Sequence, residues 1–179
     1  MENNNLIRIQ RVSSKFLRLF TVLIVSIPIF TVLFWLFFNY LPIGLTMGLP
    51  VIGSNALSLT GISLAILVSV IPVSVAVYGL NILKELFELY ENAIVFSSRN
   101  VKCFRRLGYT LILWVFSNMV FVTLISVVLT YNNPIGERLI VAQFGTSDLA
   151  TIIMGAIVVL VSWVMLEASK LETEQAYTV

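Results

Sequence analysis

The stretch LKELFELYENAIVFSSRNVKCFRRLGY, residues 83–109, carries eight of the chain's twenty charged side chains and lies between two long apolar runs. Leu83, Leu86, Phe87 and Tyr90 recur at helical spacing, with Lys84, Glu85, Glu88 and Glu91 on the other side. The spacing therefore predicts that the preceding helix continues past its apolar segment to Glu91. Asn92 or the residues just after it end that helix, and Ser97 or Ser98 can accept the free amide hydrogens of the next. From Ser98 onward Val101, Phe104 and Leu107 share one face, and Arg99, Lys102 and Arg106 another. The stretch reads as a helix–turn–helix hairpin with one acidic and one basic arm.

On either side of the hairpin the chain is that of a membrane protein. Of its 179 residues 59% are hydrophobic and only 11% charged, where soluble domains run near one quarter. Four segments reach the ~20 residues that a hydrocarbon core requires: 19–40, 61–83, 108–129 and 149–166, none holding Lys, Arg, Asp or Glu. The first is too long for the core of a cleaved signal peptide and is read as a retained span. If helix runs unbroken from Gly61 to Glu91 it is about 46 Å long and must tilt or protrude from the bilayer. The expected fold is all-α, an integral membrane four-helix bundle forming a single domain over residues 1–179.

The basic residues orient it. Arg8, Arg11, Lys15 and Arg18 precede the first span; Lys84, Arg99, Lys102, Arg105 and Arg106 lie between the second and third; Lys170 follows the fourth. Of the two remaining connections, 41–60 has no basic residue and 130–148 has Arg138 alone. The positive-inside bias then places both termini and the hairpin in the cytoplasm. The uncharged connection LPIGLTMGLPVIGSNALSLT, 41–60, is expected to cap the spans or lie on the membrane as an irregular loop. The other connection has a turn signal at Asn132, Asn133 and Pro134 and a solvated pair, Glu137 and Arg138. Asp148 or Ser147 can cap the last helix. Pro28 and Pro72 fall inside spans and should kink them, which membranes tolerate where freed carbonyls find other partners.

The residue types narrow the chemistry. There is no histidine and a single cysteine, Cys103, so a disulfide-cycling site is excluded and the commonest metal ligand and general base are missing. No acid lies within a span, so no hydrolytic constellation forms, and the chain is expected to be a non-enzyme without cofactor or metal. Transporters commonly hold ionisable groups at membrane depth, and these spans hold none. Their polar residues include Ser26, Thr31, Ser69, Ser74, Asn81, Ser117, Asn118, Thr123 and Ser162. Such groups usually bond to neighbouring helices or to their own carbonyls, and Asn118, a carboxamide near mid-helix, most needs a partner. Lys102, Arg105 and Arg106 beside Cys103 could lower its pKa, although a small buried cysteine more often fills space.

Four basic side chains in the first turns of a helix oppose its macrodipole, so something outside the helix must compensate. The simpler compensation is pairing with Glu88 and Glu91 across the hairpin together with anionic headgroups, each contact contributing about 1 kcal/mol or less. The sharper reading makes Glu88, Glu91, Arg99, Lys102, Arg105 and Arg106 a docking surface for a soluble protein, completed by or paired with the tail acids Glu167, Glu172 and Glu174. The expected partners are then the lipid bilayer and a cytoplasmic protein regulator, with a homo-oligomer as a further option. Direct nucleic-acid binding is not expected, because the hairpin is small, tethered and acidic on one arm. A small-molecule passage or membrane-stress component acting through neutral polar groups is the alternative, and a structural subunit of a larger complex is a third.

The hairpin and the terminal run EASKLETEQAYTV resemble the bacterial membrane family known as domain of unknown function 2975. The matching positions are Leu83, Leu86, Phe87, Tyr90, Phe96, Ser97, Asn100, Val101, Leu107 and Gly108, then Leu171, Glu174, Thr178 and Val179. Two positions depart from the pattern. Ala93 stands where a turn glycine is expected, which moves the left-handed cap to Asn92, and Ala176 replaces an acidic residue. The resemblance implies a four-helix membrane protein of unsettled function, often encoded beside a small DNA-binding regulator, and so a regulatory pairing.

Overall fold

The computed structural model describes residues 2–46, 49–50, 56–92, 94, 97–134 and 136–176, with backbone alone for 2–9, 43 and 169–176. All regular structure among them is helical: α1 Glu2–Leu36, a 3-10 turn Phe38–Tyr40, α2 Ile43–Thr46, α3 Leu59–Glu91, α4 Ser98–Thr130 and α5 Thr146–Ala176. Four of these, α1, α3, α4 and α5, are long and apolar enough to cross a membrane. Each outruns its apolar segment. The 33 residues of α3 and of α4 extend about 50 Å, against a hydrocarbon core of ~30 Å.

The helix starts and stops follow local chemistry. Ser58 accepts from the Gly61 amide at the start of α3, and Ser97 accepts from the Asn100 amide at the start of α4. Asp148 opens α5 from within its first turn, its carboxylate accepting from the Gly145 amide at 2.8 Å, one half of a capping box. The first span ends earlier than Tyr40. Asn39 leaves the helix and clamps the returning chain, donating from Nδ2 to the Leu57 carbonyl and accepting from the Leu57 amide with Oδ1. Both α1 and α3 continue through their prolines, Pro28 and Pro72.

Packing departs from the compact bundle expected. The main helical pairings are α1 with α3, α3 with α4, and α4 with α5; among the described residues the backbone of α1 comes close to that of neither α4 nor α5. The four long helices therefore form an open row in chain order. The hydrophobic effect, which would close a bundle in water, is absent in hydrocarbon, and helices there associate only where surfaces fit. The apolar faces of the two outermost helices, with Val22, Val25 and Ile29 on α1 and Met154, Leu160 and Val164 on α5, are left exposed for lipid.

The tightest fit is glycine against glycine. A Cβ on Gly108 of α4 would stand 2.7 Å from the Gly155 carbonyl oxygen, and one on Gly155 of α5 would stand 2.8 Å from the Gly108 oxygen. Small residues let the two backbones meet, as is common between membrane helices. At one end of the row Phe16 and Phe20 of α1 stack on Phe87 of α3, with centroids 5.0 and 5.4 Å apart, so the amino-terminal half of α1 lies beside the α3–α4 hairpin. At the other end Trp35, Leu57, Ile62, Ala65, Ile125 and Leu129 form a second core. Beyond α4 the chain has no regular secondary structure over 139–144 and is held where the Leu139 and Val141 amides donate to the hydroxyls of Thr130 and Ser126.

Candidate functional site

The hairpin is a packed element with its own core. Ile82, Leu86 and Leu89 of α3 enclose Cys103 of α4, which is only 1% exposed. Asn100 is fully buried and its Nδ2 donates to the Ile94 carbonyl, tying the turn back onto α4. The Ile94 amide in turn donates to the Leu89 carbonyl, which closes α3. Asn92 does not take the left-handed cap expected of it: its φ is −84°, and its carboxamide donates to the Glu88 carbonyl instead. Ala93 and Phe96, like Thr178 and Val179 of the terminal motif, lie outside the described residues.

Of the positions carrying the resemblance, Leu86, Asn100, Val101 and Gly108 are buried and Phe87 and Tyr90 half-buried. They build the hairpin. The charged residues of the hairpin lie outside that set and cover its surface.

The ion pairs differ from those expected. Glu85, not Glu88 or Glu91, faces the basic arm, its carboxylate 3.5 Å from Arg106 and 3.9 Å from Arg99. Glu88 pairs within its own helix, 4.0 Å from Lys84. The reason is register: α3 and α4 diverge from the turn with Leu86 and Leu89 inward, which leaves Glu85 on the edge nearest α4 and turns Glu88 outward. Glu91 is half-buried and pairs with none of the bases, while Lys102 and Arg105 are exposed and form no ion pair among the described residues. Arg11, Lys15 and Arg18 of α1 are exposed at the same end. Of the tail acids, Glu167 is exposed, and the side chains of Glu172 and Glu174 lie outside the described residues.

Cys103 is the space-filling residue of that core. Burial pushes its thiol pKa up, the Glu85 carboxylate pushes it further, and Arg106 and Arg99 offset only part of this. The expected depression by neighbouring bases is reversed, because the guanidiniums are exposed and screened while the sulfur is enclosed.

The polar groups of the spans divide sharply. Ser26, Thr31, Ser69, Ser74, Asn81, Ser117, Thr123 and Ser162 each donate to a carbonyl three or four residues back in their own helix. Ser69 also accepts from the Trp35 indole at 2.7 Å, joining α3 to α1. Asn118 forms no side-chain hydrogen bond with the described residues. A free amide in hydrocarbon costs roughly 4–8 kcal/mol relative to water. It lines a groove of about 840 Å³ bounded by α1, α3 and α4. Phe30 and Phe34 of α1 and Trp114 of α4 form its walls, and Pro72 and Ala76 of α3 form its floor.

Four apolar helices of this length, joined by short polar connections, define a multi-pass membrane protein. Its sequence matches, over residues 26–179, the family described as "Protein of unknown function (DUF2975)". The chain belongs to that family, as its hairpin and tail suggested. No curated protein and no solved structure matches it.

Proposed function

We propose that the chain is a non-enzymatic regulatory protein of a bacterial inner membrane, with its hairpin and both termini in the cytoplasm, where it docks a soluble protein through the basic arm of the hairpin. The observation that carries this reading is that Lys102 and Arg105 form no ion pair among the described residues. Glu85 draws Arg106 and Arg99, yet these two neighbours stay exposed in the first turns of α4, where the macrodipole disfavours them. An acidic partner surface would relieve them, with Arg99 and Arg106 at its margin. The charge asymmetry supports the orientation. Arg11, Lys15, Arg18 and the hairpin bases lie at one end of the row, and Arg138 alone at the other. Because α3 is continuous from the Pro72 turn to Glu91, a shift of its membrane segment would move the hairpin as one body.

Gentle purification of the tagged full chain from its host tests this, beside a Lys102→Glu/Arg105→Glu variant and an Arg11→Glu/Arg18→Glu control inserted equally well. The expected result is a soluble protein retained by the parent and the control and lost from the hairpin variant. Equal retention by all three rejects the surface, and so does retention of nothing soluble by any of them.

A further inference from the structure

We infer that the groove between α1 and α4 is a binding site for an uncharged, membrane-dissolved amphiphile, whose carbonyl, hydroxyl or amide head pairs with Asn118 while its apolar body lies between the aromatic walls. Asn118 stands at the centre of the apolar segment 108–129, at a depth where water is excluded and backbone partners are taken up by helix. Eight other polar side chains of the spans bond to carbonyls of their own helices, whereas the Asn118 carboxamide forms no side-chain hydrogen bond among the described residues and is left to a ligand. A carboxamide offers two donors and an acceptor side by side, which suits a head with a carbonyl or hydroxyl and pairs doubly with an amide. The volume of about 840 Å³ lies within the ~300–1,000 Å³ usual for small-molecule sites.

The character of the lining selects the occupant. No charged residue lines the groove, so it has nothing to hold an ionised head. Phospholipid heads belong at the interface, about 15 Å from the midplane, and would not reach Asn118. The small residues Pro72 and Ala76 in the groove's lining suit a narrow apolar chain or ring.

The test uses the full chain in phosphatidylcholine vesicles with Trp163→Phe. This removes the exposed indole of α5 and leaves Trp35 and Trp114, both on the groove. Stearamide with a nitroxide at its fifth carbon is titrated against phosphatidylcholine labelled at the same carbon. The expected result is saturable quenching by the amide at a mole fraction about fivefold below that of the phospholipid, the weight of one net hydrogen bond. Asn118→Leu should lose the saturable phase, and so should Ala76→Phe, which fills the floor and leaves Asn118 in place.

Equal quenching by both probes in the parent overturns the proposal, and that comparison needs no variant to fold. Undiminished saturation in Asn118→Leu overturns it as well. Efficient disulfide dimerisation of Asn118→Cys in a Cys103→Ser background, unaffected by added stearamide, would assign the groove to a second copy and overturn it too.

Discussion

The hairpin and the middle of the α3–α4 pair handle their polar groups in opposite ways. At the hairpin, Ser97 caps α4, Asn100 is locked onto Ile94, Glu85 holds two guanidiniums and Cys103 fills a closed core. Halfway along the same helix, Asn118 lines an open groove and forms no side-chain hydrogen bond among the described residues. One asparagine serves to fix the fold and the other is left over by it. A polar group at hydrocarbon depth is costly unless satisfied, so the unsatisfied one marks where the chain meets something else.

The largest perturbation should come from the contact on which the row's last helix depends. Gly108→Leu drives a side chain into the Gly155 carbonyl and Val159, and it should detach α5 from α4. Overpacking of this kind costs about 1–3 kcal/mol or more, visible as a large fall in thermal stability in detergent. If the variant melts like the parent, the glycine contact does not hold α5.

The two asparagines give the sharpest contrast. Asn100→Leu removes the bond to Ile94 from a fully buried site and should cost about 1–3 kcal/mol in denaturant titration. Asn118→Leu removes no bond within the chain and replaces an amide by hydrocarbon, so it should leave stability unchanged or raise it. Equal destabilisation by the two substitutions would erase the distinction between the hairpin and the middle of the pair.

The smallest effect is electrostatic. Glu85 is 37% exposed and its arginine partners more so, so Glu85→Gln should cost well under about 1 kcal/mol after solvent screening. Its clearer readout is Cys103. The carboxylate raises the thiol pKa, and a raised pKa leaves less thiolate at a given pH. Alkylation by iodoacetamide should therefore reach its half-maximal rate above the pH of an ordinary cysteine, and Glu85→Gln should move that midpoint down. A parent midpoint at or below that of free cysteine would mean the bases, not burial, control the thiol.

Much of this could be read along the chain, and each failure has a local cause. The four apolar segments, the extension of α3 to Glu91 and the Ser97 cap follow from composition, 3.6-residue spacing and capping chemistry, which are properties of neighbours in sequence. The amino-terminal tail was expected to precede the first span, yet α1 begins at Glu2. Its Ser13, Phe16 and Phe20 are turned toward α3, a surface that local patterning does not contain. Glu85 took the place of Glu88 and Glu91 because the pairing across a hairpin depends on how two helices meet, and residues 85 and 106 are distant in sequence.

The amino-acid sequence by itself determined that this is a four-span helical membrane protein with a charged hairpin, because hydropathy and helix-end chemistry act over a few residues at a time. It also singled out Asn118 as a carboxamide in need of a partner. Only the tertiary structure decided that the helices form an open row, that the hairpin bases divide into paired and unpaired, and that Asn118 faces a groove. Those outcomes depend on how surfaces meet, Gly108 against Gly155 and Trp35 against Ser69, and in hydrocarbon close packing and interhelical hydrogen bonds decide which helices touch.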